Sequence, residues 1–218
     1  MKDMEISQKY LLLALNDKGS VATIGSMRVR AFMVASGILE LTAEDIVSFS
    51  ENQVTVKQDL PNNKEYLGSI YNMISEDNPI SLKKLARGMV TKRNVFKELF
   101  NAVGDSLVEL DLVSKTNAGL LGRSNHFIPS EGAKKPIVEQ IRAELLEEGP
   151  VSTDTVVLSS LLIGSRMLKN YFSKFEEEDL NDKLSMLRND TANKEIFAMI
   201  DALSHTITTI IASASAGS

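Results

Sequence analysis

The residues whose types and spacing could do chemistry are mostly basic. Between Ser81 and Phe100 lie six cations, Lys83, Lys84, Arg87, Lys92, Arg93 and Lys97, against one acidic residue, Glu98. That is a local balance of +5 in a chain whose formal net charge is −5. Arg and Lys are the usual partners of phosphate, and a helix start adds backbone N–H donors. Arg93 and Lys97 are four residues apart, which on a helix puts both on one face. Near a membrane each such cation is worth about 1 kcal/mol against anionic lipid; the same spacing also suits a plain solvated stripe. The balance reverses to −3 between Tyr171 and Asp190. The densest part of that stretch, Phe175-Glu176-Glu177-Glu178-Asp179, lacks the Asp-x-Asp-x-Asp-Gly spacing of a calcium loop and reads as a solvated loop at a helix end. An anionic partner is therefore expected at the basic stretch, and the acidic total disfavours general nucleic-acid binding.

Catalytic chemistry finds no foothold. His126 sits beside Arg123 and Ser124, but no Gly-x-Ser-x-Gly elbow accompanies it, and it reads as a histidine at a hairpin end. His205, between Leu203 and Ile207, reads as a core-edge histidine. No Gly-rich phosphate loop or dinucleotide fingerprint occurs. The absence of Cys rules out disulfides and thiolate metal ligands, and a reducing compartment is the natural reading. With only two His, no metal or other cofactor is expected.

The elements that must position the basic residues read as mainly helical. The predicted helices are Ser7 to Asn16, apolar all round and hence buried all round, Ser26 to Glu44, Glu65 to Ser75, Ser81 to Val90, Lys92 to Glu109, Pro136 to Glu148, Ser152 to Phe175, Leu180 to Arg188 and Asn193 to Ala212. Two hairpins are predicted, Ile46 to Ser48 with Val54 to Lys57, and Leu110 to Ser114 with Leu120 to Phe127. Lys115-Thr116-Asn117-Ala118-Gly119 reads as the second turn, with Asn and Gly supplying positive φ. With no low-complexity linker, residues 1–218 read as one domain with a disordered tail at about 213–218. Residues 1–6 do not read as a secretory leader. Ile196 to Ala216 is the one candidate membrane span, but Asp201 and His205 within it make a buried or amphipathic helix the expectation.

Several of these segments, in order, resemble the Golgi phosphoprotein 3 family. Gln8-Lys-Tyr-Leu-Leu-Leu-Ala-Leu-Asn-Asp-Lys-Gly19 is similar to the family's Leu-rich opening helix and its Asp-Lys-Gly turn. Ile38-Leu39-Glu40-Leu41 is similar to the segment before the family's first hairpin. Leu107 to Val113 resembles the helix end leading into the second hairpin, Leu120-Leu121 its apolar tip, and Val156 to Ile163 the family's buried Leu-rich helix. The likeness runs from about Ile6 to Ala212. It implies a mainly helical fold decorated with hairpins and peripheral attachment to membranes. Eukaryotic members bind phosphatidylinositol 4-phosphate and hold glycosyltransferases by their cytoplasmic tails. Their headgroup pocket uses a Trp and an Arg after the first turn and two Arg near the start of the long helix. This chain has no Trp, and Gly25 and Val34 fall at the first two positions. Arg93 or Lys97 stands in for one of the paired arginines, and Phe96 or Phe100 falls at the other. Arg28 and Arg30, about a turn from Val34, are expected to compensate from a different face. The resemblance thus implies a divergent member, of a bacterial kind, with an altered headgroup pocket.

The resulting expectation is a cytoplasmic, non-enzymatic adaptor at the membrane surface. Arg93, Lys97, Lys92, Arg28 and Arg30 would meet anionic, phosphoinositide-like headgroups. The second hairpin, with Leu120, Leu121 and Arg123, would touch bilayer or a sister subunit in a homo-oligomer, or else pack on its own core. Protein clients are implied by the resemblance. Two other readings stand beside it. Helix followed by hairpin, twice, also suits a winged-helix DNA-binding protein, and the domain could be an oligomeric scaffold with no lipid ligand.

Overall fold

The computed structural model describes residues 3–21, 26–91, 93–118, 124–190 and 193–216, with only the backbone of residues 26, 89–91, 93, 118 and 214–216. It is 65% helical, with a few short strands in small antiparallel sheets. Helix α1, Ile6–Ala14, is buried along its whole length, including its polar residues Ser7, Gln8 and Lys9. Around it pack α2 (Ser26–Ala43), α5 (Arg93–Glu109) and α7 (Thr153–Ser165). The remaining helices are α3 (Gly68–Ser75), α4 (Leu82–Thr91), α6 (Lys135–Leu146), α8 (Lys174–Leu187) and α9 (Lys194–Ala216). Strands β1 (Val47–Ser50) and β2 (Gln53–Val56) form the first hairpin, which β3 (Ile80–Ser81) extends to three strands. The turn residues Glu51 and Asn52 both have positive φ, as a tight two-residue hairpin turn requires. Strands β4 (Val113–Ala118) and β5 (Ser124–Pro129) form the second, with Lys115 opposite Phe127 and Thr116 opposite His126.

Burying a helix on every side obliges its polar groups to find partners inside the protein. Three consecutive side chains of α1 do so on three different elements. Ser7 donates its N–H (2.9 Å) and its hydroxyl (2.7 Å) to the Glu40 carboxylate on α2. Gln8 donates its amide to Ser106 on α5 at 3.0 Å, and Lys9 pairs with Asp154 on α7 at 3.0 Å. At the other end, Tyr171 and Lys134 donate to the carbonyls of Leu13 and Leu15. Burial pushes the Tyr171 hydroxyl up to about 12, with Asp17 adding to the effect.

Glu40, 2% exposed, also accepts from Tyr66 and from Lys64, which is 1% exposed and 3.2 Å away. Lys64 further reaches Glu5 at 2.9 Å and Glu44 at 3.5 Å. Burial works against the Lys64 charge, but the charge and hydrogen bonds of Glu40 and Glu5 outweigh it and hold its pKa above the ordinary lysine value. Burial and the nearby Glu40 charge likewise raise the Tyr66 hydroxyl.

Besides the unexpected strand β3, four elements differ from the sequence reading. The helix expected to run on to Phe175 stops at Ser165, because Arg166 turns left-handed at φ 64 and its N–H closes back on Leu162 and Ile163. A short 3-10 helix, Leu168–Asn170, follows. The acidic run at 175–179 is no loop. It opens α8, where Ser173 caps the helix in a capping box with Glu176, and Glu176 and Glu177 suit the positive helix start. The last helix continues through the Ala-Ser run to Ala216, into the stretch expected as a tail, since Ala propagates a helix well. Finally, the second hairpin pairs from Val113, not Leu110, because Asp111 takes a left-handed turn (φ 55) first, and β4 runs on to Ala118, through residues 115–118 that were expected in the turn. The segment Lys194–Ser213 is long and apolar enough to cross a membrane. In the structure it packs Phe197, Ile200, Leu203 and Ile207 inward, against α2, α4 and α7. Its Asp201 pairs with Arg188.

The turn after α1 is seated on the second hairpin. The Asn16 side chain accepts from the N–H groups of Lys18 (2.9 Å) and Ser20 (3.2 Å), and the Phe127 N–H donates to the Gly19 carbonyl at 2.8 Å. Gly19 has φ +71, and a Cβ there would lie 2.7 Å from the Phe127 backbone.

Two predictions follow from these constraints. Glu40→Ala strands the buried Ser7 donors and takes a carboxylate from the buried Lys64 and the half-buried Tyr66; it should cost about 3 kcal/mol in urea unfolding, with a cost below about 1 kcal/mol contradicting the role given to the cluster. Gly19→Ala combines a left-handed backbone with a clash against β5 and should cost about 2 kcal/mol or more by the same assay; a neutral result would contradict the close approach.

Candidate functional site: a basic, aromatic hollow

The first two turns of α5 carry Phe96, Lys97, Phe100 and Asn101, a spacing that puts all four on neighbouring faces. They face the start of α2, the seated turn at Ser20 and Val21, and the first residues of β5. Together with Arg30, Ser124, Asn125 and His126 they line a hollow of about 300 Å³.

Its wall is a chain of rings. The Arg30 guanidinium lies 5.1 Å from the Phe96 ring centre. Phe96 is 5.9 Å from Phe100, which meets the fully buried Phe127 edge-on at 5.3 Å. A cation over an aromatic face is held by the ring quadrupole as well as by packing. The rings thereby connect an exposed Arg30 to the core. Asn125 donates its amide to Asn101 at 3.0 Å, tying the hairpin to α5. The His126 Nδ1 lies 2.7 Å from the Lys18 carbonyl. A carbonyl only accepts, so Nδ1 carries the hydrogen and Nε2 remains available.

Arg30 and Lys97 are both exposed, and among the described residues neither forms an ion pair with a carboxylate. Two cations, an aromatic wall, three amide or imidazole groups and two serine hydroxyls can hold an anion attached to a polar ring. Among the described residues no group of three or more His, Asp or Glu is placed to hold a metal ion. The opposite end of α5 is acidic. There Glu65, Asp105 and Glu109 line a second hollow of about 460 Å³ with Gln8, Asn62, Asn63 and Ser106.

The structure brings together two of the basic residues singled out in the sequence, Arg30 and Lys97. Arg30 lies one helical turn before Val34 and takes the position at the hollow that the buried Val34 cannot. Arg28 points elsewhere. Its Nη1 donates to the Gly164 carbonyl at 3.0 Å and lies 3.4 Å from the Thr208 hydroxyl. Arg93 starts α5, with its side chain outside the described residues, as are Lys92, Leu120, Leu121 and Arg123 altogether. Sequence reasoning passed over Asn101, Asn125 and His126 as parts of a site. The one available signal was polar residues at the hairpin end, and polar hairpin ends are ordinary.

None of the curated proteins matches the chain. The family model for Golgi phosphoprotein 3 (GPP34) matches residues 6–203. That stretch takes in α1, the hollow and nearly all the core, and the chain belongs to the Golgi phosphoprotein 3 (GPP34) family.

Proposed function

We propose that this protein is a non-enzymatic peripheral membrane adaptor whose Arg30 and Lys97 receive an anionic, phosphoinositide-like lipid headgroup. The observation that carries the reading is the meeting of two cations, without carboxylate partners among the described residues, over the Phe96–Phe100 wall, in a chain that is acidic overall. In this reading the phosphate lies between Arg30 and Lys97, at the start of α5, where the helix dipole also favours negative charge. The C–H faces of a headgroup ring pack on Phe96 and Phe100, and Asn101, Asn125 and Ser20 offer hydrogen bonds to its hydroxyls. His126 Nε2, left open by the Nδ1 bond to Lys18, adds a further acceptor. Family membership supports a Golgi phosphoprotein 3-like role. A cytoplasmic location at the membrane surface, protein clients and a homo-oligomer belong to the same proposal.

The DNA-binding alternative has less support. Helix α5 buries Leu99, Val103 and Leu107 and presents Glu98 and Glu109 outward, while its Asp105 pairs with Lys115 at 2.6 Å. Such a face would repel phosphate along most of its length.

Vesicle flotation of wild type and of Arg30→Gln with Lys97→Gln tests the reading, using neutral lipid, generic anionic lipid and phosphatidylinositol 4-phosphate. Two lost cations should weaken binding to anionic vesicles by about 30-fold. Unfolding should move by no more than about 1 kcal/mol, since both side chains are exposed. A stronger response to the phosphoinositide than to generic anionic lipid would show a headgroup-selective hollow. Equal binding by the variant would contradict the assignment. A wild type that ignores all vesicles would leave the scaffold reading, and one that binds mixed-sequence DNA at low salt would favour the winged-helix alternative.

A further inference from the structure

A second pair of cations lies on the other side of the α2 start. Arg28 is held against the end of α7 by its bond to the Gly164 carbonyl. The next residue but one, Arg166, is the left-handed cap of that helix. Two local costs meet there. A side chain at φ 64 is strained by about 1 kcal/mol relative to glycine, the usual residue at such a cap. The two guanidinium groups also repel: burial first, and then the Arg166 charge, lower the Arg28 pKa. A cation at a helix C-terminal end does suit the dipole, but Arg28 already meets that need through Gly164. Arg166 is exposed and has no ion-pair partner among the described residues. It lines a shallow hollow of about 270 Å³ with Ile163, Leu168, Lys169, Asn181 and one acid, Glu177. Strain and like-charge repulsion, with Glu177 the one acid lining the hollow, are conditions an external anion would relieve.

We propose that Arg28 and Arg166, with Lys169 beside them, form a second contact for lipid phosphate, separate from the Arg30–Lys97 hollow. Lipid is the source of the phosphate because of what lies between the two sites. Arg28 and Arg30 are two residues apart on the same turn of α2 and point to different sides of it. Met27, at 42% exposure, projects from that same turn. Two cation sites flanking an exposed methionine at one level of the molecule fit a flat anionic surface with an apolar interior. A free phosphate would use neither Met27 nor both sites at once. The first hollow would then choose the headgroup, while the Arg28–Arg166 corner fixes the tilt of the protein on the bilayer.

This inference rests on the membrane reading above, and the test separates the two. Arg166→Gly removes the charge while giving the left-handed cap the residue it favours, so the variant should fold at least as well as wild type. Wild type, Arg166→Gly, Lys97→Gln and the double variant are compared on phosphatidylcholine vesicles with and without phosphatidylserine, and by thermal shift with inorganic phosphate. The expected result is an unfolding temperature kept or raised, with binding to the anionic vesicles about fivefold weaker, in the wild-type and the Lys97→Gln backgrounds alike. Unchanged vesicle binding by Arg166→Gly would overturn the second contact and leave the first intact. A phosphate-induced shift that needs Arg166, without any vesicle effect, would overturn the lipid assignment. Loss of the wild type's own vesicle binding would overturn both readings.

Discussion

A helix buried on all sides is the constraint from which the rest of this molecule follows. Helix α1 supplies apolar surface for α2, α5 and α7 at once, but it also brings polar backbone ends and three polar side chains into the interior. Each of those groups must be met, and each is met by a different element. Ser7 fixes α2 through Glu40, Gln8 fixes α5 through Ser106, and Lys9 fixes α7 through Asp154. Unsatisfied buried polar groups cost about 1–3 kcal/mol each, so these bonds specify one arrangement of the three helices more than they add net stability. The relative setting of α2 and α5 is what puts Arg30 over Phe96. The setting of α2 against α7 is what puts Arg28 at Gly164.

The arrangement also sorts charge. Helix α5, roughly 25 Å long at 1.5 Å per residue, begins at the basic hollow and ends at the acidic one lined by Glu65, Asp105 and Glu109. The three carboxylates gathered on Lys64, those of Glu5, Glu40 and Glu44, lie by the C-terminal part of α2, while Met27, Arg28 and Arg30 lie at its start. An acidic chain can therefore present a basic end to an anionic surface while its acidic end disfavours a reversed approach.

The parts of this design that depend on local pattern could be read from the sequence. The all-apolar run Leu11 to Leu15 announced a central helix, the Asn-Asp-Lys-Gly turn announced its end, and the i, i+4 pair on α5 pointed to Lys97. Arg30 was legible only as a cation near the expected pocket. What puts it beside Lys97 is the crossing of two helices far apart in the chain, which no local pattern encodes. The hairpin side of the hollow was hidden for the same reason, since Asn125 and His126 acquire a role only when the turn at Lys18 docks on β5. The break at Arg166 was illegible because an arginine there carries none of the usual stop chemistry of glycine or proline. Charge counting also overreached: Lys84 pairs with Asp77 and, with Arg87, lines a different hollow, so only part of the basic stretch reaches the Arg30–Lys97 site.

The claim that the start of α2 and α5, and not the acidic end, meets the membrane is tested most directly by hydrogen–deuterium exchange on anionic vesicles. The account predicts slowed exchange in residues 18–21, 26–30, 93–101 and 124–126, with residues 62–66 and 105–110 unchanged. Protection confined to the acidic end, or none at all while the protein is vesicle-bound, would contradict it.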